Sequence, residues 1–184
     1  MHLEYVEINK DNLEIAVKIQ NEIFPLEDGR QNYIEGITND SYRKEMTNYI
    51  VYNGKIPIGV VGLYSYNEYP SDAWLSWYGV IDKYRNKGFG SKIFDFFEEL
   101  ALQKGYSSIR VYTSNEFDLA VRIYEKKGMI KEYYSNQLEN DEINKETIIY
   151  SKSLIGEKTQ KWNNKFLGLT SQSEKEKIIY NKQC

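Results

Sequence analysis

Between Trp77 and Gly90 the chain reads Trp-Tyr-Gly-Val-Ile-Asp-Lys-Tyr-Arg-Asn-Lys-Gly-Phe-Gly. An apolar strand passes through a short basic turn into a long amphipathic helix. The first amides of a helix have no partner inside it, and the macrodipole adds roughly half a positive charge at that end. Gly88 and Gly90 carry no Cβ, so a bulky anion can approach the backbone, and Arg85 and Lys87 add formal charge beside it. The stretch reads as a phosphate cradle suited to a pyrophosphate. A plain tight turn is the competing reading of two glycines.

Two nucleotide patterns fail on residues. A dinucleotide fold wants Gly-x-Gly-x-x-Gly, and the third position here is Ile93; the Gly-Lys-Ser/Thr of a P-loop is absent. A third pattern fits. Arg85-Asn86-Lys87-Gly88-Phe89-Gly90 resembles the Arg/Gln-x-x-Gly-x-Gly/Ala signature of the GNAT superfamily of N-acetyltransferases, with Val80 where that family ends its fourth strand. Ala120-Val-Arg-Ile-Tyr124-Glu-Lys-Lys-Gly128-Met129 is similar to its Ala-x-x-x-Tyr-x-x-x-Gly-Phe stretch, with Met in the Phe slot. The resemblance implies acetyl-CoA as cosubstrate, held by Tyr78, Gly79, Val80, Arg85, Asn86, Lys87, Gly88, Phe89, Gly90 and Ser91, with Tyr124 near the sulfur. Many members keep an Asn three residues before the Ala; Phe117 stands there, and Asn115 is the candidate for that contact.

Taken in order, Leu3–Ile8 has the mixed pattern of a half-buried strand. Asp11 with Glu14 looks like a capping box for a helix that Pro25 stops. The polar stretch from Leu26 to Arg43 holds room for a short helix around Gln31–Ile37. Asn53-Gly54 signals a type I′ hairpin, and Pro57 an edge strand or a bulge. A strand over Ala73–Val80 feeds the cradle. The helix that follows ends at Gly105, and Ser108–Thr113 is its parallel partner by a right-handed crossover. A helix from Asp118 to Gly128 and strands at Met129–Ser135 and Thr147–Lys152 complete an α/β order. The resemblance makes this a GNAT fold over residues 1–152: a mixed sheet of six to seven strands flanked by about four helices, splayed between the fourth and fifth strands.

Composition narrows the setting. The net charge is −3, yet residues 152–184 hold seven Lys against three Glu, leaving −7 for the rest. Residues 153–184 therefore read as a polar, basic extension. They lack a helix-turn-helix pattern or clustered arginines, which argues against nucleic acid and for a packed extension or dimer contact. A homodimer through C-terminal strands is implied by the resemblance alone. The single cysteine is Cys184 and the single histidine is His2, which argues against a metal site and covalent Cys/His chemistry. No run of eighteen apolar residues exists, and no basic-then-apolar leader opens the chain, so the reading is cytoplasmic and away from membranes.

The implied reaction is direct transfer of an acetyl group from acetyl-CoA to an amine. Tyr124 is the candidate acid for the departing thiolate, since a phenol donates without prior charge. The attacking amine must be neutral, and Glu68 and Glu35 are the candidate bases. Tyr64, Tyr66, Tyr69, Trp74, Trp77 and Tyr78 either wall an acceptor pocket or pack the sheet. The rival reading keeps the cradle without turnover, as an acyl-CoA-binding or sensing module.

Overall fold

The sheet grows from the hairpin between β2 (Arg43–Asn53) and β3 (Ile56–Tyr66). Asn53 pairs with Ile56, so Gly54 and Lys55 form the two-residue loop. Gly54 has φ +62, and Asn86 is the one non-glycine with positive φ among the described residues. The expected I′ turn centred on Asn53-Gly54 is thus replaced by a loop of II′ character, in which only the first central residue needs positive φ. Pro57 takes the bulge rather than the edge: the β2–β3 register slips between Val51 and Tyr52, and β3 is an interior strand.

This computed structural model describes residues 2–37, 43–114, 117–133 and 147–162. With β1 (Leu3–Glu7), β4 (Tyr69–Val80), β5 (Ser108–Ser114), β6 (Ile130–Tyr133) and β7 (Thr147–Ser153), the hairpin completes a seven-stranded sheet in the order β1-β2-β3-β4-β5-β7-β6. Parallel pairing of β4 with β5 runs from Asp72↔Ser108 to Trp74↔Arg110. From there β5 continues to Ser114 against β7, while β4 continues to Val80 against β3. The two parallel strands therefore diverge into a wedge at their C-terminal ends. Neighbouring residues of one strand sort to opposite faces, as strand geometry requires. Ile50, Val60 and Ile81 pack under α1 (Leu13–Ile23) and α2 (Gly29–Ile37); Val51, Ile58 and Val61 pack under α3 (Phe89–Gln103) and α4 (Asp118–Lys126).

The capping box does not form. Asn12 is the N-cap of α1, and its Oδ1 accepts the Asn9 amide at 2.8 Å, facing back along the chain. Glu14 is drawn off by Arg30 at 2.6 Å, an exposed pair that bridges α1 and α2. The α3 C-terminus follows the expected pattern, with Gly105 at φ +82.

After β7 the chain folds back over the α1/α2 face. Trp162 is fully buried, edge-on to Trp74 at 4.8 Å and to Tyr69 at 4.6 Å. Arg110 holds this return in place: its Nε donates to Asp72 Oδ2 at 2.8 Å, its Nη1 to Ser151 Oγ at 2.7 Å and to the Gln160 carbonyl at 3.1 Å. The guanidinium lies 5.1 Å from the Trp162 ring centroid. Removing one partner of so buried a pair leaves the other charge uncompensated. Arg110→Ala is therefore expected to lower the unfolding free energy by about 3–5 kcal/mol, and joint replacement of Asp72 and Arg110 by Leu and Met by much less. Denaturant titration of both variants checks this.

Candidate functional site

β4 ends where the Ile81 amide donates to the Ile58 carbonyl at 2.9 Å, and a 3₁₀ turn over Asp82–Tyr84 follows. Arg85 closes that turn. Its Nε donates to the Val80 carbonyl at 2.9 Å and its Nη1 pairs with Asp82 at 2.7 Å. The motif arginine thus fixes the end of the strand to the start of the loop. Lys87 Nζ donates to the Lys83 carbonyl, and both lysines lie over the Tyr84 ring. Cationic charge is held at the mouth without a fixed acidic partner for either lysine among the described residues.

Beyond Arg85 the backbone changes hand twice. Asn86 has φ +60 and Gly88 φ +79, with Lys87 between them. Such alternation turns successive amides toward one side and makes a concave anion site. Gly88 is the N-cap of α3 with no side-chain cap, and Lys92 donates to its carbonyl at 3.4 Å. Phe89, Gly90 and Ser91 precede Lys92 in the first turn, where helical amides lack internal partners. Asn86, Lys87 and Gly88 are exposed, and a Cβ at Gly88 would meet nothing within 4 Å. The backbone is open where an anion would approach.

The two glycines divide the labour. Gly88 supplies the left-handed φ; Gly90 supplies space. A Cβ at Gly90 would fall 2.9 Å from Ile123 Cδ1 and 3.1 Å from the Tyr78 hydroxyl, which donates to the Gly90 carbonyl at 2.8 Å. This differs from the expectation that both glycines simply admit the anion. Close approach of α4 and of Tyr78 to the helix start requires the bare Cα at Gly90. Gly79 acts similarly on the other face, since a Cβ there would stand 2.5 Å from Ile23 Cγ2. The end of α1 therefore rests directly on β4.

Tyr78 and Tyr124 lie on the α3/α4 face, and Tyr78 stands on β4 past its last pair with β5. Their ring centroids are 6.2 Å apart, and Tyr124 also packs on Phe94 at 5.6 Å and Tyr150 at 5.4 Å. Tyr124 is 3 % exposed. Burial, with a smaller contribution from Tyr150, raises its pKa far above the ordinary phenol value, and burial does the same to Tyr78. A raised phenol pKa keeps the proton on: Tyr124 is a neutral donor throughout the physiological range.

The predicted site residues do not all converge. Tyr78, Gly79, Val80, Arg85 through Ser91 and Tyr124 lie around the end of β4 and the start of α3. Phe89 is a core residue at 3 % exposure, its ring packed inside rather than at the turn. Asn115 falls outside the described residues, and so does the side chain of Glu35, which lies on α2. Glu68 is exposed in the β3–β4 turn, at the far end of β4 from the cradle. At about 3.3 Å per residue, the twelve residues of that strand put it roughly 35 Å from the strand's C-terminal end. The structure does not bring it to the site. Across the sheet, on the α1/α2 face, Asn48, Gly62 and Ser76 align on β2, β3 and β4.

The model of the acetyltransferase (GNAT) family matches residues 13–129. No curated protein matches the chain. Among solved structures, the ribosomal-protein-S18-alanine N-acetyltransferase of Escherichia coli superposes with a TM-score of 0.63 at 12% identity, covering 90% of this chain and 100% of that one. Spermidine N-acetyltransferase from Vibrio cholerae, in complex with CoA and spermine, gives 0.63 at 16% identity over 83% and 95%. A Bacillus subtilis acetyltransferase in complex with CoA gives 0.59 at 20% identity over 84% and 99%. No described helix is long and apolar enough to cross a membrane, and no group of three or more His, Cys, Asp or Glu is placed to hold a metal among the described residues.

Proposed function

The chain belongs to the acetyltransferase (GNAT) family, and from that premise we propose that it moves an acetyl group from acetyl-CoA to a primary amine by direct transfer in a ternary complex. The observation that carries the reading is the junction of β4 with α3. There an amide-rich, left-handed turn meets a wedge between parallel strands, with a buried protonated tyrosine packed against Tyr78 at its side. Acetyl-CoA supplies an acyl group already activated as a thioester.

The residues divide the task by position. The Asn86–Ser91 backbone receives the pyrophosphate, with Lys83 and Lys87 at its mouth. Backbone groups of Trp77–Val80, beyond the last β4–β5 pair, face the wedge and orient the thioester; one such hydrogen bond to a developing oxyanion is worth on the order of 3 kcal/mol. Attack by the amine nitrogen forms the new C–N bond as the C–S bond breaks; Tyr124 gives its proton to the leaving sulfur, and the proton shed by the acylated nitrogen restores the Tyr124 phenol, so that the products are the amide and the free thiol. The titration of free thiol from acetyl-CoA against a panel of primary amines tests the reading. Amine-dependent release of CoA is expected; tight binding of acetyl-CoA with no release across the panel would sink it in favour of a binding module.

A further inference from the structure

Two tyrosine hydroxyls from the sheet donate to carbonyls in the first turn of α3. Tyr78, on β4, bonds the Gly90 carbonyl at 2.8 Å, and Tyr5, on β1, bonds the Lys92 carbonyl at 3.3 Å. Helical carbonyls find their partner one turn further on, so neither bond is needed to build the helix. A carbonyl also shares its planar peptide unit with the next residue's N–H. The Gly90 carbonyl is therefore joined to the Ser91 amide, and the Lys92 carbonyl to the Ile93 amide. These two amides differ in kind. Gly88 caps α3 and the Lys92 amide reaches back to the Gly88 carbonyl, which makes Ser91 the last amide of the helix start without an internal partner. Ile93 lies beyond it, inside the hydrogen-bonded ladder.

A peptide whose carbonyl accepts a hydrogen bond is polarised, and its N–H becomes a better donor. The bond also fixes the plane of the peptide, and with it the direction of that N–H. Tyr78 is well held for this. Its ring packs 6.2 Å from both Phe94 and Tyr124, and burial raises its pKa well above the ordinary phenol value, so the hydroxyl keeps its proton and donates. Gly90 admits it, since a Cβ there would stand 3.1 Å from the hydroxyl. We propose that Tyr78 is a positioning residue for the pyrophosphate of the acyl donor, aligning and polarising the Ser91 amide through the Gly90 carbonyl rather than touching the cosubstrate with its own hydroxyl.

The arrangement ties the two ends of the donor site together. Tyr78 stands past the last β4–β5 pair, while its side chain reaches the helix start. One residue thus sets the spacing between the thioester end and the pyrophosphate end. Tyr5 supplies the internal comparison. Its hydroxyl makes the same type of bond two residues along, its ring is stacked on Phe96 at 3.7 Å, and the peptide it holds has its N–H in the ladder. A hydroxyl that only braces α3 against the sheet would act alike at either place. One that prepares a donor for an anion acts at Gly90 alone.

The inference rests on the proposed use of acetyl-CoA, and its test separates the two. Tyr78→Phe and Tyr5→Phe each remove one oxygen and keep the ring; both are checked by thermal melting, and CoA binding is measured by calorimetry. Tyr78→Phe is expected to weaken CoA binding about tenfold and Tyr5→Phe by less than about twofold, although both should lower the melting temperature. The preference in kcat/KM for acetyl-CoA over S-acetylpantetheine, which lacks the pyrophosphate, should fall about tenfold for Tyr78→Phe and hold for Tyr5→Phe. Equal weakening by both variants, or CoA affinity kept by Tyr78→Phe, would overturn the inference and leave acetyl transfer standing. So would equal losses with the two donors, which place the hydroxyl on the pantetheine arm instead. Weakened CoA binding by Tyr78→Phe alone, with no amine releasing CoA from any of the three proteins, would sink acetyl transfer and keep the inference. If wild type bound no CoA, both would fall.

Discussion

Tyr124→Phe slows amine-dependent acetyl transfer by about 10²- to 10³-fold with acetyl-CoA affinity changed less than twofold, if the buried phenol protonates the leaving thiolate. The change removes one oxygen and keeps the ring, and the ring makes the contacts with Tyr78, Phe94 and Tyr150. Packing is therefore conserved, and the loss appears in kcat rather than in binding. Poorer leaving groups depend more on an acid, so the effect should shrink for a donor whose thiol is already acidic. Single-turnover rates with acetyl-CoA and an acyl donor of low thiol pKa read this directly. Equal slowing of both donors, or none, would take the acid role from Tyr124.

Gly88→Val is expected to weaken acetyl-CoA binding by about 30- to 100-fold, through the backbone alone. At φ +79 a β-branched residue is a steric outlier costing about 1–3 kcal/mol. Because nothing lies within 4 Å of the added Cβ, the cost is conformational and is relieved by rotating the turn out of its left-handed state. That rotation would turn the amide row away from the anion. Gly105 provides the control, since it has φ +82 at the other end of the same helix. Gly105→Val should lower stability by a similar amount and leave the dissociation constant, measured calorimetrically, where it was.

Legibility differed by the range of the forces involved. The β4–α3 junction was readable because its determinants are consecutive: strand, cation-bearing turn, glycines and amphipathic helix lie within one short run. The turn at Gly54 was signalled correctly and centred one residue early, because the register is set by the whole β2–β3 pair rather than by the dipeptide. Asp11 had the spacing of a capping box, yet Asn12 took the cap and Arg30 took Glu14, a competition between partners sixteen residues apart that local spacing cannot see. The distinct duties of Gly88 and Gly90 depend on Ile123 and Tyr78, brought in by tertiary packing. Glu68 illustrates the same limit. It lies near the aromatic strand in sequence and at the wrong end of it in space. Asn48, Gly62 and Ser76 are spread over three strands, and only the sheet register makes them neighbours.

The strand order carries a consequence for how the chain is made. β5 is flanked on one side by β4 and on the other by β7, whose residues are synthesised after β6. Arg110, on β5, finds Ser151 and the Gln160 carbonyl only at the end of the described chain. During synthesis the junction that holds the cradle is complete long before its outer support exists. A nascent chain of which the first 130 residues had emerged would carry a formed β2–β3–β4 meander, an open β5 edge and an Arg110 that has Asp72 but lacks its Ser151 and Gln160 partners. Pairings this distant in sequence slow folding and leave strand edges exposed meanwhile. Closure of the core therefore waits for β7 and the return through Gln160, and until then the β5 edge is exposed to pairing with the wrong strand.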